Sequence, residues 1–272
     1  MNGREKIDIG IFDSGVGGLS VWKEILKLMP DAHFLYVSDG AYCPYGPRPA
    51  EEVIERARAI TKFLINRGSD IIVVACNTAT AAAIDTLRRE FDIPFIGMEP
   101  AVKPAILNSK SGVVGVLATK GTFGGRLYSN TLHKYALGAK VLEQIGDGLV
   151  ELVERGEYKG DNVNILLHKY IDPMVKEGAD HIVLGCTHYP FLIKEIEKIT
   201  GERIAIVDPA PAVAKHLLEL IINRYGSVDD SVNGDISRNT DFYSTASYEI
   251  LRKLAHSILP EISDDQFSEV DI

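Results

Sequence analysis

The sequence predicts an α/β fold built from two related lobes on parallel sheets. Two observations lead there: short β-branched runs alternate with helix-length amphipathic stretches, and the pattern of the first half returns in the second. A third sets the scale. The chain has 272 residues, of which 46% are hydrophobic and 25% charged. That is an ordinary globular composition on a length suited to roughly two domains.

Taken in order, the run Ile7 to Phe12 is followed by a helix from about Gly18. His33 to Ser38 leads to a helix from about Pro49, and Asp70 to Cys76 to one from about Thr78. Strand, helix, strand in such short steps means βαβ units and parallel pairing. The rhythm continues through the runs at Pro94, Gly112, Lys140, His181 and Ala205, with helices near Asn162 to Lys176, Tyr189 to Ile199 and Pro211 to Arg224. A polar stretch, Ser227 to Thr240, precedes a last strand, Asp241 to Thr245, and a helix from about Ser247 to Ile258. The tail from Glu261 carries five acids and no base, so a solvated, mobile end is expected there.

The repeat is visible at two places. Ile9 to Gly18 resembles Val114 to Gly125, and Ile71 to Ala79 resembles His181 to Tyr189. The offsets are similar, 105 residues between Gly10 and Gly115 and 110 between Cys76 and Cys186. Chance likeness among buried strands is the competing account.

Composition also excludes partners. A formal charge of −9 lacks the basic field on which phosphate-backbone affinity depends, so nucleic acid is not an expected ligand. No apolar run approaches the 18 or more residues of a membrane span, and the first residues have no secretory h-region. The cytoplasm is the default compartment. Three widely spread cysteines, Cys43, Cys76 and Cys186, fit reduced thiols rather than a disulfide framework.

Cys76 and Cys186 each stand at the carboxyl end of an apolar strand, where open α/β sheets bind ligands. As a pair in equivalent places of two repeats, they would flank one cleft from opposite sides. One thiolate could then remove a proton from a carbon while the opposed thiol returned one to its other face, a racemisation or epimerisation. Two readings compete for the same residues: a redox pair, although C-x-x-C is missing, and a Cys186-His188 hydrolase. The turn Asp13 to Gly18 with Asp39 after the second strand has the outline of a dinucleotide site, but Asp13 would repel a pyrophosphate and suits an ammonium group better. Cys43 has no counterpart in the second repeat and reads as structural. No close His/Cys/Asp spacing suggests a metal.

These blocks, DSGVGG, CPYG, VVACNTATA, LVELVERG, LGCTHYPFL and VDPAPAVA, together resemble the glutamate racemases of the cofactor-independent aspartate/glutamate racemase superfamily, over nearly the whole chain from Asp8 to about Leu259. The resemblance implies two lobes related by pseudo-twofold symmetry: residues 1–97 plus 210–272, and residues 98–209. It implies that Cys76 deprotonates D-glutamate and Cys186 L-glutamate, with Asp13 assisting the former, His188 the latter, and Glu154 an acid near the Cys186 side. Asp13, Asn77 and Thr187 would meet the amino group; Asn77, Thr78, Thr119 and Thr122 the α-carboxylate; Ser14, Tyr45 and Gly46 the side-chain carboxylate. A solvated helix face is an equally good account of Glu154. The chain departs from the usual pattern at Gly146-Asp147, where a Cys-Pro pair is common. The resemblance further implies a homodimeric cell-wall enzyme that supplies D-glutamate for peptidoglycan without pyridoxal phosphate, nicotinamide or metal. Aspartate is the nearest alternative substrate, and a nucleotide-binding protein the alternative of another class.

Overall fold

The computed structural model describes residues 7–136, 138–226 and 239–272. Residues 227–238 of the polar stretch lie outside them. The strands in chain order are β1 (Asp8–Asp13), β2 (His33–Ser38), β3 (Ile71–Val74), β4 (Phe95–Gly97), β5 (Val113–Ala118), β6 (Lys140–Ile145), β7 (His181–Gly185), β8 (Ala205–Val207), β9 (Thr240–Ser244) and β10 (Phe267–Glu269). They form a six-stranded sheet, β10-β9-β2-β1-β3-β4, and a four-stranded sheet, β6-β5-β7-β8. Every ladder is parallel.

The repeat is realised as topology. The order β2-β1-β3-β4 in one sheet is the order β6-β5-β7-β8 in the other, and the registers correspond: Ile9 pairs with Ile71 as Val114 pairs with His181. Cys76 and Cys186 therefore leave equivalent strand ends. The central strands are continuous apolar runs because helices cover both faces, and β3 is buried throughout. β6 is the exception. It lies at an edge, and most of its side chains are partly or fully exposed.

The helices are α1 (Leu19–Leu28), α2 (Ala50–Asn66), α3 (Asn77–Glu90), α4 (Val102–Asn108), α5 (Lys120–Phe123), α6 (Arg126–Tyr135), α7 (Leu149–Glu154), α8 (Asp161–Lys176), α9 (Ile193–Thr200), α10 (Ala210–Tyr225) and α11 (Glu249–Ile258). The chain analysis anticipates seven of these. It misses α4 to α7, which have four to ten residues, too few turns for a clear helical period. Pro190 starts the segment after β7 as a 3-10 turn, so α9 opens only at Ile193. One apolar cluster runs from Ile9, Trp22 and Ile25 through Leu149 and Val153 to Ile171 and Ile182, so the two sheets share a core rather than each closing on its own.

The acidic tail is not a free end. Ile262 and Phe267 are buried, and β10 adds to the first sheet beside β9. Phe267 pairs in register with Phe242, their rings stacked with centroids 4.6 Å apart. The main-chain carbonyl of Ile272 accepts a hydrogen bond from Arg56. The acids alternate with these apolar anchors and face outward, so a count of charge alone misjudges the segment. Phe267→Ala should cost about 3 kcal/mol in urea unfolding, as for other buried aromatic truncations. A loss below about 0.5 kcal/mol would show the tail to be unpacked.

Candidate active site

The apolar run of β3 ends in Ala75 and Cys76, and Cys76 is the N-cap of α3, its sulfur accepting the Ala79 N–H at 3.4 Å. Its thiol also approaches the Ser14 hydroxyl at 3.8 Å. On the other sheet β7 ends at Gly185, and Cys186, Thr187 and His188 follow at once. Both thiols line one pocket with about 250 Å³ of empty space. Ser14, Tyr45, Gly46, Asn77 and Thr78 line it from the first sheet's side, and Thr119, Thr187 and His188 from the second's. Val150 of LVELVERG and Pro44 of CPYG complete the apolar part of the wall.

Asp13, Glu154 and Thr122 stand behind this lining. Asp13 is fully buried, and its oxygens are already engaged: Oδ2 accepts the Gly15 and Gly18 N–H groups, each at 3.1 Å, and Oδ1 accepts the Thr187 hydroxyl at 3.2 Å. Thr122 caps a hydroxyl relay, with Thr78 to Thr119 at 2.8 Å and Thr119 to Thr122 at 2.9 Å. Asn77 is 3% exposed, yet neither atom of its side-chain amide has a hydrogen-bond partner among the described residues. A buried amide left unpaired is costly, so these atoms mark where a ligand's polar groups would be matched.

His188 is the hinge of the second side. Its Nδ1 lies 3.7 Å from Cys186 Sγ, and its Nε2 lies 2.6 Å from Glu154 Oε1, which also accepts the Val16 N–H at 2.8 Å. Glu154 therefore turns inward and is not a solvated helix face. Burial opposes the charge on His188, but its bonds to Cys186, Cys43 and Glu154 outweigh that and raise its pKa well above the usual imidazole range. Burial likewise works against the Glu154 carboxylate, and the bond and charge of His188 win, holding its pKa below the ordinary value. The pair is an imidazolium and a carboxylate. On the first side, burial and then the charge of Asp13 push the Cys76 thiol far above the normal thiol range, while burial raises Asp13 itself.

The glycine turn explains how the two sides meet. A Cβ on Gly15 would stand 1.9 Å from Glu154 Oε1, and one on Gly17 2.3 Å from His188 Nδ1. The space over the turn is thus taken by the other sheet's side chains, which leaves no cradle for a pyrophosphate. Nor is Asp39 free for a ribose. It is fully buried in a bidentate pair with Arg56, at 2.9 and 2.8 Å, and also accepts the Thr245 and Tyr45 hydroxyls. Both features contradict the dinucleotide outline.

The sequence gives no sign of the company that Cys43 keeps. Its sulfur lies with a Glu154 oxygen and a His188 nitrogen in a cluster whose atoms are all within 4.8 Å of one another. Sequence spacing could not show this, because the three come from separate segments on two sheets. Cys43 lies within reach of Glu154 and His188, and burial pushes its thiol up to about 12.

Two parallel-sheet lobes, each presenting a thiol from an equivalent strand end to one small pocket, define an α/β protein of the two-thiol racemase class. The chain belongs to the Asp/Glu/hydantoin racemase family, which it matches over residues 16–217. It is 47% identical over 217 residues to the glutamate racemase of Roseiflexus sp. (strain RS-1), covering 79% of this chain and 80% of that protein. Among solved structures it resembles a glutamate racemase isoform from Bacillus anthracis, at TM-score 0.82 and 32% identity, covering 99% of both chains. It also resembles the Escherichia coli glutamate racemase solved with L-glutamate and the activator UDP-MurNAc-ala, at TM-score 0.82 and 30% identity, covering 97% of both.

The ion pair has a signature in stability. His188, with its pKa raised, contributes fully below its unfolded value near 6.5 and loses the contribution as pH rises through the folded value; Glu154, with its pKa lowered, contributes above about 4.5 and loses it as pH falls through its folded value. Glu154→Gln should therefore cost about 2 kcal/mol between roughly pH 5 and 6.5, because it leaves a buried cation unpaired, and the gap should narrow on the alkaline side. Urea titrations at stepped pH measure it. A gap that widens steadily above pH 7 would contradict the assigned charges.

Proposed function

We propose that this protein interconverts L- and D-glutamate by proton transfer at Cα between two opposed thiols, Cys76 and Cys186. The observation that carries the proposal is the pair of thiols at equivalent strand ends lining one pocket. On this reading D-glutamate gives its Cα proton to the Cys76 thiolate and receives one from the Cys186 thiol on its other face; L-glutamate reacts the opposite way. Each turnover leaves the protonation of the two sulfurs exchanged, and solvent restores it. These two groups supply both proton transfers, so the reaction calls for no pyridoxal phosphate, nicotinamide, flavin or metal.

The electrostatics of the two sides differ in a way that suits this chemistry. The Cys76 thiol, held protonated by burial and by Asp13, becomes a base when a substrate ammonium group enters and offsets the negative charge. The imidazolium of His188 lies 3.7 Å from the other sulfur, that of Cys186. Thr187 and Asn77 would meet the ammonium group, and Asp13, bonded to Thr187, would supply the compensating charge. The unpaired amide of Asn77 and the Thr78–Thr119–Thr122 relay would hold the α-carboxylate, stabilising the charge that builds up as the Cα proton leaves. Ser14, Tyr45 and the backbone at Gly46 would take the side-chain carboxylate. Glu154 acts through His188.

In the cell this activity would supply D-glutamate for peptidoglycan. We read the enzyme as cytoplasmic and homodimeric, with lobes at 1–97 plus 210–272 and at 98–209. Among the described residues no helix is long and apolar enough to cross a membrane.

In deuterium oxide, product formed early from either enantiomer should carry deuterium at Cα, while recovered substrate keeps its protium. Mass spectra of the separated enantiomers at low conversion read this out, and product retaining its original protium would sink the opposed-thiol mechanism. Cys76→Ala and Cys186→Ala should each abolish racemisation in a folded protein; substantial activity in either would remove that thiol from the mechanism. Glutamate should exceed aspartate in kcat/KM by more than about tenfold, since a methylene in a shaped polar site is worth about 1–3 kcal/mol. Equal turnover would point to the broader racemase reading.

A further inference from the structure

Cys43, Glu154 and His188 are joined by more than the hydrogen bond between the last two. A thiol, a carboxylate and an imidazole are the three donor types that zinc takes from proteins, and here one of each lies within 4.8 Å of the other two. Each arrives on a different segment: Cys43 from the turn after β2, Glu154 from the last residue of α7, His188 from the loop after β7. The backbone of the glycine turn lies directly against the cluster. Any side chain at position 15 would overlap it, since a Cβ on Gly15 would stand 1.9 Å from Glu154 Oε1 and 2.9 Å from Cys43 Sγ.

We propose that Cys43, Glu154 and His188 form a binding site for a borderline-soft divalent cation of the zinc type, and that the ion inhibits the enzyme by tying up His188 beside Cys186. Metal–ligand lengths of about 2.0–2.3 Å place tetrahedral donors roughly 3.5 Å apart, so the groups need shifts on the order of 1 Å to close on an ion. Three protein donors leave a fourth position. Water would complete the shell. Binding displaces the Cys43 thiol proton and the His188 imidazolium proton to solvent, leaving a thiolate and a neutral imidazole on the cation. The ion's two charges replace the two protons lost, so the cluster keeps its net charge; what changes is that His188 is fixed on the cation through the nitrogen that faces Glu154 and no longer exchanges a proton beside Cys186. The catalytic thiols themselves remain off the metal: among the described residues Cys76 and Cys186 belong to no comparable group of three donors.

The inhibitory half of this inference rests on the racemase reading, whereas the binding half does not. The test uses the whole protein, freed of metal and titrated with Co²⁺, with Zn²⁺ then added in competition. One equivalent of Co²⁺ should bind with a sulfur-to-cobalt charge-transfer band in the near ultraviolet. Cys43→Ser should abolish that band and weaken Zn²⁺ at least about tenfold, since even the loss of an outer-shell partner costs about 10–100-fold. Glu154→Gln should weaken Zn²⁺ in the same direction with the band retained, and Cys76→Ala should leave both unchanged. In the racemase assay, Zn²⁺ should inhibit wild type reversibly, a chelator should restore the rate, and the inhibition constant of Cys43→Ser should rise in step with its binding constant. A band that survives Cys43→Ser but disappears in Cys186→Ser would place the ion on the catalytic thiol and overturn the site, as would no stoichiometric binding to folded wild type. Binding as described in a protein without racemase activity would uphold the site and defeat the function proposed above.

Discussion

The close approach of the Gly15-Val16-Gly17-Gly18 turn to the Glu154 and His188 side chains is the constraint on which the site depends. The turn follows β1 in one sheet, whereas the acid and the imidazole belong to elements around the other. Contact this tight is open only to glycine, because a single methyl group would meet Glu154 at position 15 or His188 at position 17. Asp13 reinforces it by capping two amides of its own turn and accepting a hydroxyl from Thr187 across the interface. Ser20 adds a bond from α1 to the Thr187 carbonyl at 2.9 Å. The same short stretch of chain therefore closes the pocket, aligns the second thiol's neighbours and joins the two sheets.

From that junction follow different neighbours for two chemically identical groups. Cys76 lies in a dry environment next to a carboxylate, where a thiol is stable and a thiolate is not until a cation arrives. Cys186 has an imidazolium at its side, itself maintained by Glu154. An acid and a base made from the same side chain require this kind of difference in surroundings. On the function proposed above, Glu154, which does not line the pocket, acts on it through His188.

A second network supports the opposite wall. Tyr45 of the CPYG turn is tied to Asp39, Asp39 to Arg56 of α2, and Arg56 to the carbonyl of Ile272. The Arg56 guanidinium also stacks over the Tyr42 ring, 4.0 Å from its centroid. The acidic tail is thereby part of the apparatus that holds the pocket turn, which accounts for its order despite its charge. A buried ion pair of this sort adds little net stability when compared with apolar packing, but breaking one side of it is costly, so it fixes the position of what it grips.

The sequence by itself determined the α/β class, nine of the ten strands, the internal repeat and the two thiols. These are local or periodic facts: runs of β-branched residues, helical spacing, and a cysteine at the end of each repeated strand. The short helices α4 to α7 lacked the turns to announce themselves, and β10 was hidden because acids outnumber the two buried anchors, Ile262 and Phe267. What only the tertiary structure decided is which distant residues share a volume. Glu154 could not be told from a surface acid until α7 was docked beside His188, and Asp39 passed for a ligand group until Arg56 was seen to occupy both its oxygens. Cys43 had no repeat partner, yet packing sets it against two groups drawn from the other sheet. Proximity across a cleft depends on how two sheets pack, and that arises from the sum of the buried surface rather than from any local pattern.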